Sequence, residues 1–123
     1  MKALIFSFAM ILSVSTLFAQ ERSQVAVGPT KTEISAGKQS GEFTFVMPAG
    51  LTAEEVTQNS KYYTHYFTVV FDVKTSKAKL TMVTNDEKGR SVITRFLVAN
   101  GVQEVNIDGT LVNMADLFEK YLK

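Results

Sequence analysis

The hydrophobic pattern of residues 42–109 changes repeatedly between a strand period and a helix period, and this limits the possible folds more than any other feature. Four segments alternate apolar and polar side chains, as half-buried strands do. These segments are residues 43–47, 66–73, 77–84 and 102–107. Pro48 ends the first segment, and Thr75-Ser76 suits a hairpin turn between the second and third. The pattern therefore predicts four strands.

A first helix is predicted between the first two strands. Thr52 followed by Glu55 is the sequence of a capping box, in which a hydroxyl and a carboxylate each bond an unpaired backbone N–H at a helix start. Leu51 and Val56 occupy the positions of a hydrophobic staple around this cap. We expect the helix to continue to about Tyr63.

A second helix is predicted after the third strand. Asn85-Asp86 offers an N-cap, and Asn100-Gly101 is a typical helix end because glycine adopts the left-handed conformation without steric cost. Gly89 weakens the first turns, so the helix begins either at the cap or at Ser91. Asp108-Gly109 stops the fourth strand, and Asn113 begins a short C-terminal helix. Two apolar sets recur at helical spacing: Val92, Ile93, Phe96 and Leu97, and then Leu117, Phe118, Tyr121 and Leu122.

The resulting order is β-α-β-β-α-β with a terminal helix, which predicts an α+β fold over residues 42–123. This order is that of a ferredoxin-like sandwich, a four-stranded antiparallel sheet with two helices on one face.

The N-terminal residues predict export. Lys2 precedes an apolar stretch that ends at Ala19, the pattern of a secretory signal peptide over residues 1–19. The alternative is a membrane anchor, but the stretch is shorter than a spanning helix and contains serines. We expect cleavage after Ala19 and a periplasmic or extracellular mature protein without stable membrane insertion. Residues 20–41 are predicted to be a polar linker or arm, in which residues 25–27 could add an edge strand.

Composition narrows the possible partners. Residues 1–19 contain Lys2 and no acid, so the 13 basic and 12 acidic residues of the chain become 12 and 12 after cleavage. A neutral chain without a long basic run has no electrostatic signature of nucleic-acid binding. The chain has no cysteine, which excludes disulfides and thiolate metal sites.

The segment Gly50-Leu51-Thr52-Ala53-Glu54-Glu55-Val56 resembles the metal-binding loop of heavy-metal-associated domains, which carry Gly-Met-Thr-Cys-x-x-Cys between the first strand and the first helix. Ala99-Asn100-Gly101-Val102 lies where that family has a helix ending in Ala-Gly. The resemblance implies a ferredoxin-like scaffold over residues 42–109. Ala53 and Val56 occupy the two cysteine positions, so the family's metal site is not implied for this chain.

Few other residues suggest chemistry. His65 is the only histidine, and Met47 could join it with carboxylates as ligands of a copper-type ion only if the fold brings them together. Met47, Met82 and Met114 instead fit apolar faces. Glu54 and Glu55 are sequence neighbours, which do not share a helix face, so they fit helix capping better than acid–base catalysis.

The aromatic stretch around Tyr62 and Tyr66 is the clearest hint of an interaction surface. No catalytic motif is present in the sequence. We therefore expect a small exported, non-catalytic binding module without a cofactor, whose partner is a protein or a small ligand. The alternatives are a periplasmic metal-binding protein that uses Met47 and His65, and an enzyme of unrecognised type.

The export hypothesis predicts a defined N-terminus. Protein recovered from outside the cytoplasm should begin at Gln20, because signal peptidase cuts after a small residue such as Ala19. N-terminal peptide mass spectrometry measures this directly. Recovery of a chain that still carries Met1 or Lys2 would contradict the prediction.

Overall fold

The computed structural model describes residues 24–123. The predicted signal peptide, residues 1–19, and residues 20–23 of the predicted linker lie outside the described residues. No helix within residues 24–123 is both long and apolar enough to cross a bilayer.

The described residues form a mixed α/β fold on one six-stranded sheet. The strands are β1 Val25–Val27, β2 Glu42–Val46, β3 Phe67–Asp72, β4 Lys77–Met82, β5 Glu104–Ile107 and β6 Thr110–Asn113. The helices are α1 Lys31–Ser40, α2 Ala53–Ser60, α3 Glu87–Ala99 and the short α4 Met114–Asp116. A 3₁₀ turn, Lys61–Tyr63, follows α2, and a π-helical segment, Leu117–Leu122, follows α4.

The strand order across the sheet is β3-β4-β2-β1-β5-β6. Neighbouring strands are antiparallel except β1 and β5, which run parallel. The prediction of a four-stranded antiparallel sheet is therefore wrong in its strand count. Two short strands, β1 and β6, add to the four that the hydrophobic pattern indicates.

Residues 24–41, the described part of the predicted linker, contain β1 and α1. β1 is a central strand, not an edge strand: Ala26 pairs with Val105 of β5, and Val27 pairs with Val46 of β2. The chain leaves the sheet at Pro29, which has no N–H to continue the ladder.

α1 begins with a complete capping box that the sequence prediction overlooked. The Thr30 hydroxyl accepts a hydrogen bond from Glu33 N–H, and Thr30 N–H donates to Glu33 Oε1 at 2.9 Å. The bond from the Thr30 backbone holds the pKa of the Glu33 carboxyl below its usual range. Lys31 N–H donates to Asp108 Oδ2 at 3.0 Å, which ties the start of α1 to the turn after β5. Thr30 and Glu33 have the same spacing as the Thr52–Glu55 pair.

The β5–β6 hairpin is the second difference from the prediction. Asp108 and Gly109 have φ angles of 53° and 85°, the positive values that a two-residue hairpin turn requires. The sequence interpretation treated these residues as a stop. An Asp-Gly pair between two apolar runs also predicts a hairpin, and that is what the chain forms.

The predicted helix caps are confirmed. The Thr52 hydroxyl accepts from Glu55 N–H at the start of α2, and Asp86 Oδ1 accepts from Gly89 N–H at the start of α3. Gly101, just past α3, has a φ of 82°. The Asn113 side chain accepts from a backbone N–H in α4, as expected for the start of the terminal helix.

One apolar core lies between the sheet and the helices. The inner face of the sheet consists of alternate strand residues that are fully or nearly buried: Ala26, Phe43, Phe45, Phe67, Ala78, Leu80, Val105, Ile107 and Val112. Val56 of α2 and Phe96 of α3 belong to the same buried cluster. Arg90 of α3 fixes the chain end, because its guanidinium donates to the backbone oxygens of Leu122 and Lys123. The fold thus buries one face of the sheet and leaves the other outside the core.

Gly89 permits a close contact that a side chain would prevent. A Cβ at this position would lie 2.0 Å from the backbone oxygen of Thr84. Gly89→Ala normally favours a helix, but here we expect it to lower the free energy of unfolding by about 1–3 kcal/mol because of this overlap. Urea unfolding measures the change.

Lys88→Ala is the matched control for Gly89→Ala. Lys88 is exposed in the same turn, and its truncation should change the free energy of unfolding by no more than about 0.5 kcal/mol. A Gly89→Ala protein as stable as the Lys88→Ala protein would show that the chain relaxes around the contact.

Candidate functional site

The outer face of the sheet, the face opposite the core, is the most extended candidate surface. It consists of the strand residues that alternate with the inner set: Val25, Val27, Glu42, Thr44, Val46, Thr68, Val70, Asp72, Lys77, Lys79, Thr81, Glu104, Asn106, Leu111 and Asn113. Most of these side chains are exposed, and the others are half-buried.

One row of directly paired residues crosses all six strands on this face. We call it the cross-strand row, and its members in spatial order are Leu111, Asn106, Val27, Val46, Lys77 and Asp72. Directly opposed side chains on one face of a sheet lie about 4.5–5.5 Å apart at Cβ. Three of the four members on the β6 side of the row are therefore apolar. At the β3 end, the cation Lys77 lies beside the anion Asp72.

The apolar members of the outer face are open to solvent. Val27 is 50% exposed, Leu111 is 54% exposed, and Val70 on β3 is 70% exposed. An antiparallel sheet with one solvated face usually carries polar residues there. β1 departs from this pattern because its sequence, Val-Ala-Val, has no polar residue on either face.

The charged side chains of the outer face include both cations and anions, and neither sign dominates. Lys79 Nζ lies 3.7 Å from Glu42 Oε1, and both side chains are about half exposed at 52%. Such a surface pair contributes little to stability because water screens it. The outer face thus offers apolar contact together with charges of both signs, and it lacks the basic character of a nucleic-acid surface.

A groove of about 450 Å³ lies between α1 and β2, where β1 leaves β2. The backbone bonds from Met82 N–H to Gly41 O and from Met47 N–H to Ser76 O show that alternate residues of β2 bond β4. Thr44 lies between them in this alternation, so its N–H and C=O point towards the groove. Pro29 lines the groove and cannot extend β1 past this point.

A second cleft, of about 820 Å³, lies between the start of α2 and the end of α3. Its lining includes Leu51-Thr52 and Ala99-Asn100-Gly101, the two segments that carry the family resemblance. The fold therefore brings these segments together. Ala53 is exposed at the start of α2, whereas Val56 is 1% exposed in the core. Glu54 and Glu55 line the cleft from the first turn of α2.

Asn100 is a buried polar residue beneath this cleft, with 5% of its surface exposed. Its side-chain N–H₂ donates to Phe96 O at 2.9 Å, and its Oδ1 accepts from Asn59 Nδ2 at 2.9 Å. Asn59 Nδ2 also lies 3.2 Å from Ala99 O. Because both amides are used in these contacts, the pair joins α2 to α3 and has a structural role.

Met47 and His65, the weak alternative metal ligands, lie at opposite ends of β4. Met47 N–H bonds Ser76 O, just before this strand, and the His65 carbonyl accepts from the Thr84 hydroxyl, just after it. Ser76 and Thr84 are eight residues apart along the extended strand, which separates the two contacts by about 26 Å. Met47 is 2% exposed, whereas His65 is exposed. Residues 24–123 contain no group of three or more His, Asp or Glu side chains placed to hold a metal ion.

The aromatic residues around the 3₁₀ turn have different roles. Tyr62 is 82% exposed, whereas Tyr66 is half-buried against the core. Tyr63 stacks on Phe67 with ring centroids 6.0 Å apart. Of the two candidate residues, Tyr62 and Tyr66, only Tyr62 therefore exposes most of its side chain to a partner.

Val27 and Leu111 are outer-face residues that the sequence interpretation missed, since it offered residues 25–27 only as an edge strand and did not predict β6. The signals that locate them are Thr30–Glu33, which starts α1 after β1, and Asp108-Gly109, which turns β5 into β6.

Comparisons with protein-family models, curated proteins and solved structures found no match to this chain.

The Asn59–Asn100 network predicts a stability effect. Asn100→Leu leaves Phe96 O and the Asn59 amide without this partner, so we expect the free energy of unfolding to fall by about 1–3 kcal/mol. Val98→Ala, at a residue 55% exposed on the same helix, should change it by no more than about 0.5 kcal/mol. Equal urea midpoints for the two variants would contradict the structural role of Asn100.

Proposed function

We propose that this chain is a small exported, non-catalytic binding module that docks a protein partner through the outer face of its sheet. The observation that carries the proposal is the cross-strand row, in which Leu111, Val27 and Val46 lie on the exposed side of a sheet whose other side is the core. Burying such apolar area on a partner is favourable by roughly 25 cal/mol per Å² before the costs of association.

The composition of the outer face favours a protein partner. Protein interfaces combine an apolar centre with a polar rim. Val27 and Val46 form such a centre near the middle of the sheet, while Lys77, Asp72 and Glu42 lie towards one side. This arrangement supplies contact area together with paired charges that orient a partner.

We further propose that the scaffold derives from a ferredoxin-like arrangement related to heavy-metal-associated domains. The order β2-α2-β3-β4-α3-β5 is the β-α-β-β-α-β order of that fold. β1 lies between β2 and β5, where it separates the first and last strands of this unit. In the proposed arrangement the segment 50–56 corresponds to the family's metal-binding loop, and its residues supply no thiolate.

Export is part of the same proposal. The signal-peptide pattern over residues 1–19 supports a periplasmic or extracellular location, where the outer face meets its partner.

Site-specific photo-crosslinking in the native host tests the docking surface. A benzophenone amino acid at position 27 should give an adduct with a partner protein because Val27 lies centrally on the outer face. The matched control is position 98, since Val98 is 55% exposed on α3 and Val27 is 50% exposed. Mass spectrometry identifies the adduct and distinguishes a partner from a second copy of this chain.

A charge placed on the cross-strand row should remove that adduct. Leu111→Asp puts an unpaired carboxylate into the proposed interface, and we expect at least about a tenfold loss of crosslinked product at position 27. Val98→Asp should leave the product unchanged. Adducts of equal yield at positions 27 and 98, or none at position 27, would contradict the proposal.

A further inference from the structure

β3 is an edge strand that contains no lysine, proline or bulge. It forms one side of the sheet within residues 24–123, and its sequence is Phe-Thr-Val-Val-Phe-Asp. Natural edges are commonly blunted by a short length, a lysine, a proline or a bulge. β3 has six residues, pairs with β4 in continuous register and carries one charge, at Asp72. The opposite edge strand, β6, has only four residues.

The backbone register shows which groups of β3 face outwards. Val83 N–H donates to Tyr66 O at 2.9 Å, so Tyr66 bonds towards β4. Bonding directions alternate along an antiparallel pair, so Thr68 and Val70 bond towards β4 as well. Phe67, Val69 and Phe71 therefore direct their N–H and C=O groups away from the sheet.

The inner-face side chains of β3 are incompletely covered near the end of the strand. Phe67 is 1% exposed, whereas Val69 and Phe71 are only half-buried, although all three face the core. An additional strand along this edge would cover the two half-buried side chains.

We propose that β3 pairs with β3 of a second copy of this chain, antiparallel and with a two-fold axis at Val69. This goes beyond the proposed function, which uses the outer face. In this register Val69 faces Val69 of the second copy, and Phe67 faces its Phe71. Each outward N–H then meets a C=O, as in an isologous interface.

The side chains in this register are self-complementary. On the outer face, Thr68 lies opposite Val70 of the second copy, and Asp72 lies beyond the last facing pair within β3. No like charges within β3 face each other, which is what a two-fold strand pair requires. A second copy fits this edge because the strand offers the same apolar and hydrogen-bonding pattern in both directions about Val69.

Pairing of β3 joins the two sheets into one continuous sheet. The outer faces of the copies then become neighbours, with Val70 near the joint. Val27 and Leu111 lie on strands well away from the joint, so a charge at Leu111 tests partner docking while substitutions in β3 test self-pairing.

Two double variants that differ at one position test the register. Thr68→Glu with Val70→Glu places glutamates opposite glutamates across the two-fold axis. Thr68→Lys with Val70→Glu places lysines opposite glutamates. In both variants the glutamate at position 70 faces Lys79 of the same chain. This intrachain pair is the same in the two proteins and does not contribute to the difference between them. We expect the Glu/Glu variant to have a dimer dissociation constant at least about tenfold higher than the Lys/Glu variant, since two facing pairs change sign.

Sedimentation velocity of the protein purified in its exported form, over a range of concentrations, measures the dissociation constant. Val69→Pro provides a second test, because it removes an outward N–H while the β3–β4 ladder keeps its bonds. We expect a dimeric wild type, a retained dimer for Lys/Glu, and monomers for Glu/Glu and Val69→Pro, with unchanged far-ultraviolet circular dichroism. A wild type that is monomeric at millimolar concentration would overturn the proposal, as would equal dissociation constants for the two double variants.

Discussion

The pairing of β1 between β2 and β5 is the interaction on which the rest of this structure depends. β1 has only three residues, yet it bonds a strand on each side and joins both halves of the sheet. Ala26, the middle residue of the strand, is fully buried in the core. Pro29 then ends the strand and directs the chain into α1.

The position of β1 also creates the outer face. With β1 in place, Val27 lies next to Val46, and the polar Asn106 separates this apolar pair from Leu111 in the same row. Without it, the outer residues of β2 and β5 would belong to separate surfaces. The binding proposal therefore depends on a strand whose sequence, Val-Ala-Val, is too short to reveal its place in the sheet.

The hydrophobic pattern predicted the larger elements because each buries one face. β2, β3 and β4 alternate clearly, and the caps at Thr52 and Asp86 lie where the sequence indicates. β6 was not predicted and β1 was expected only as an edge strand, because strands of three and four residues have too few positions to show a period. The candidate site was predicted only in part: Tyr62 is exposed as expected, whereas Met47 and His65 are held apart by the length of β4.

Local sequence dictates the helix caps at Thr52 and Asp86, the apolar face of each long element and the absence of thiolate ligands. These features depend on residues close together in the chain, where backbone hydrogen bonding and side-chain spacing decide the outcome. The central place of β1, the surface shared by Val27 and Leu111 and the edge position of β3 follow from the tertiary fold alone. Strand order arises from pairing between distant segments, and it is set by how all the apolar faces are buried together.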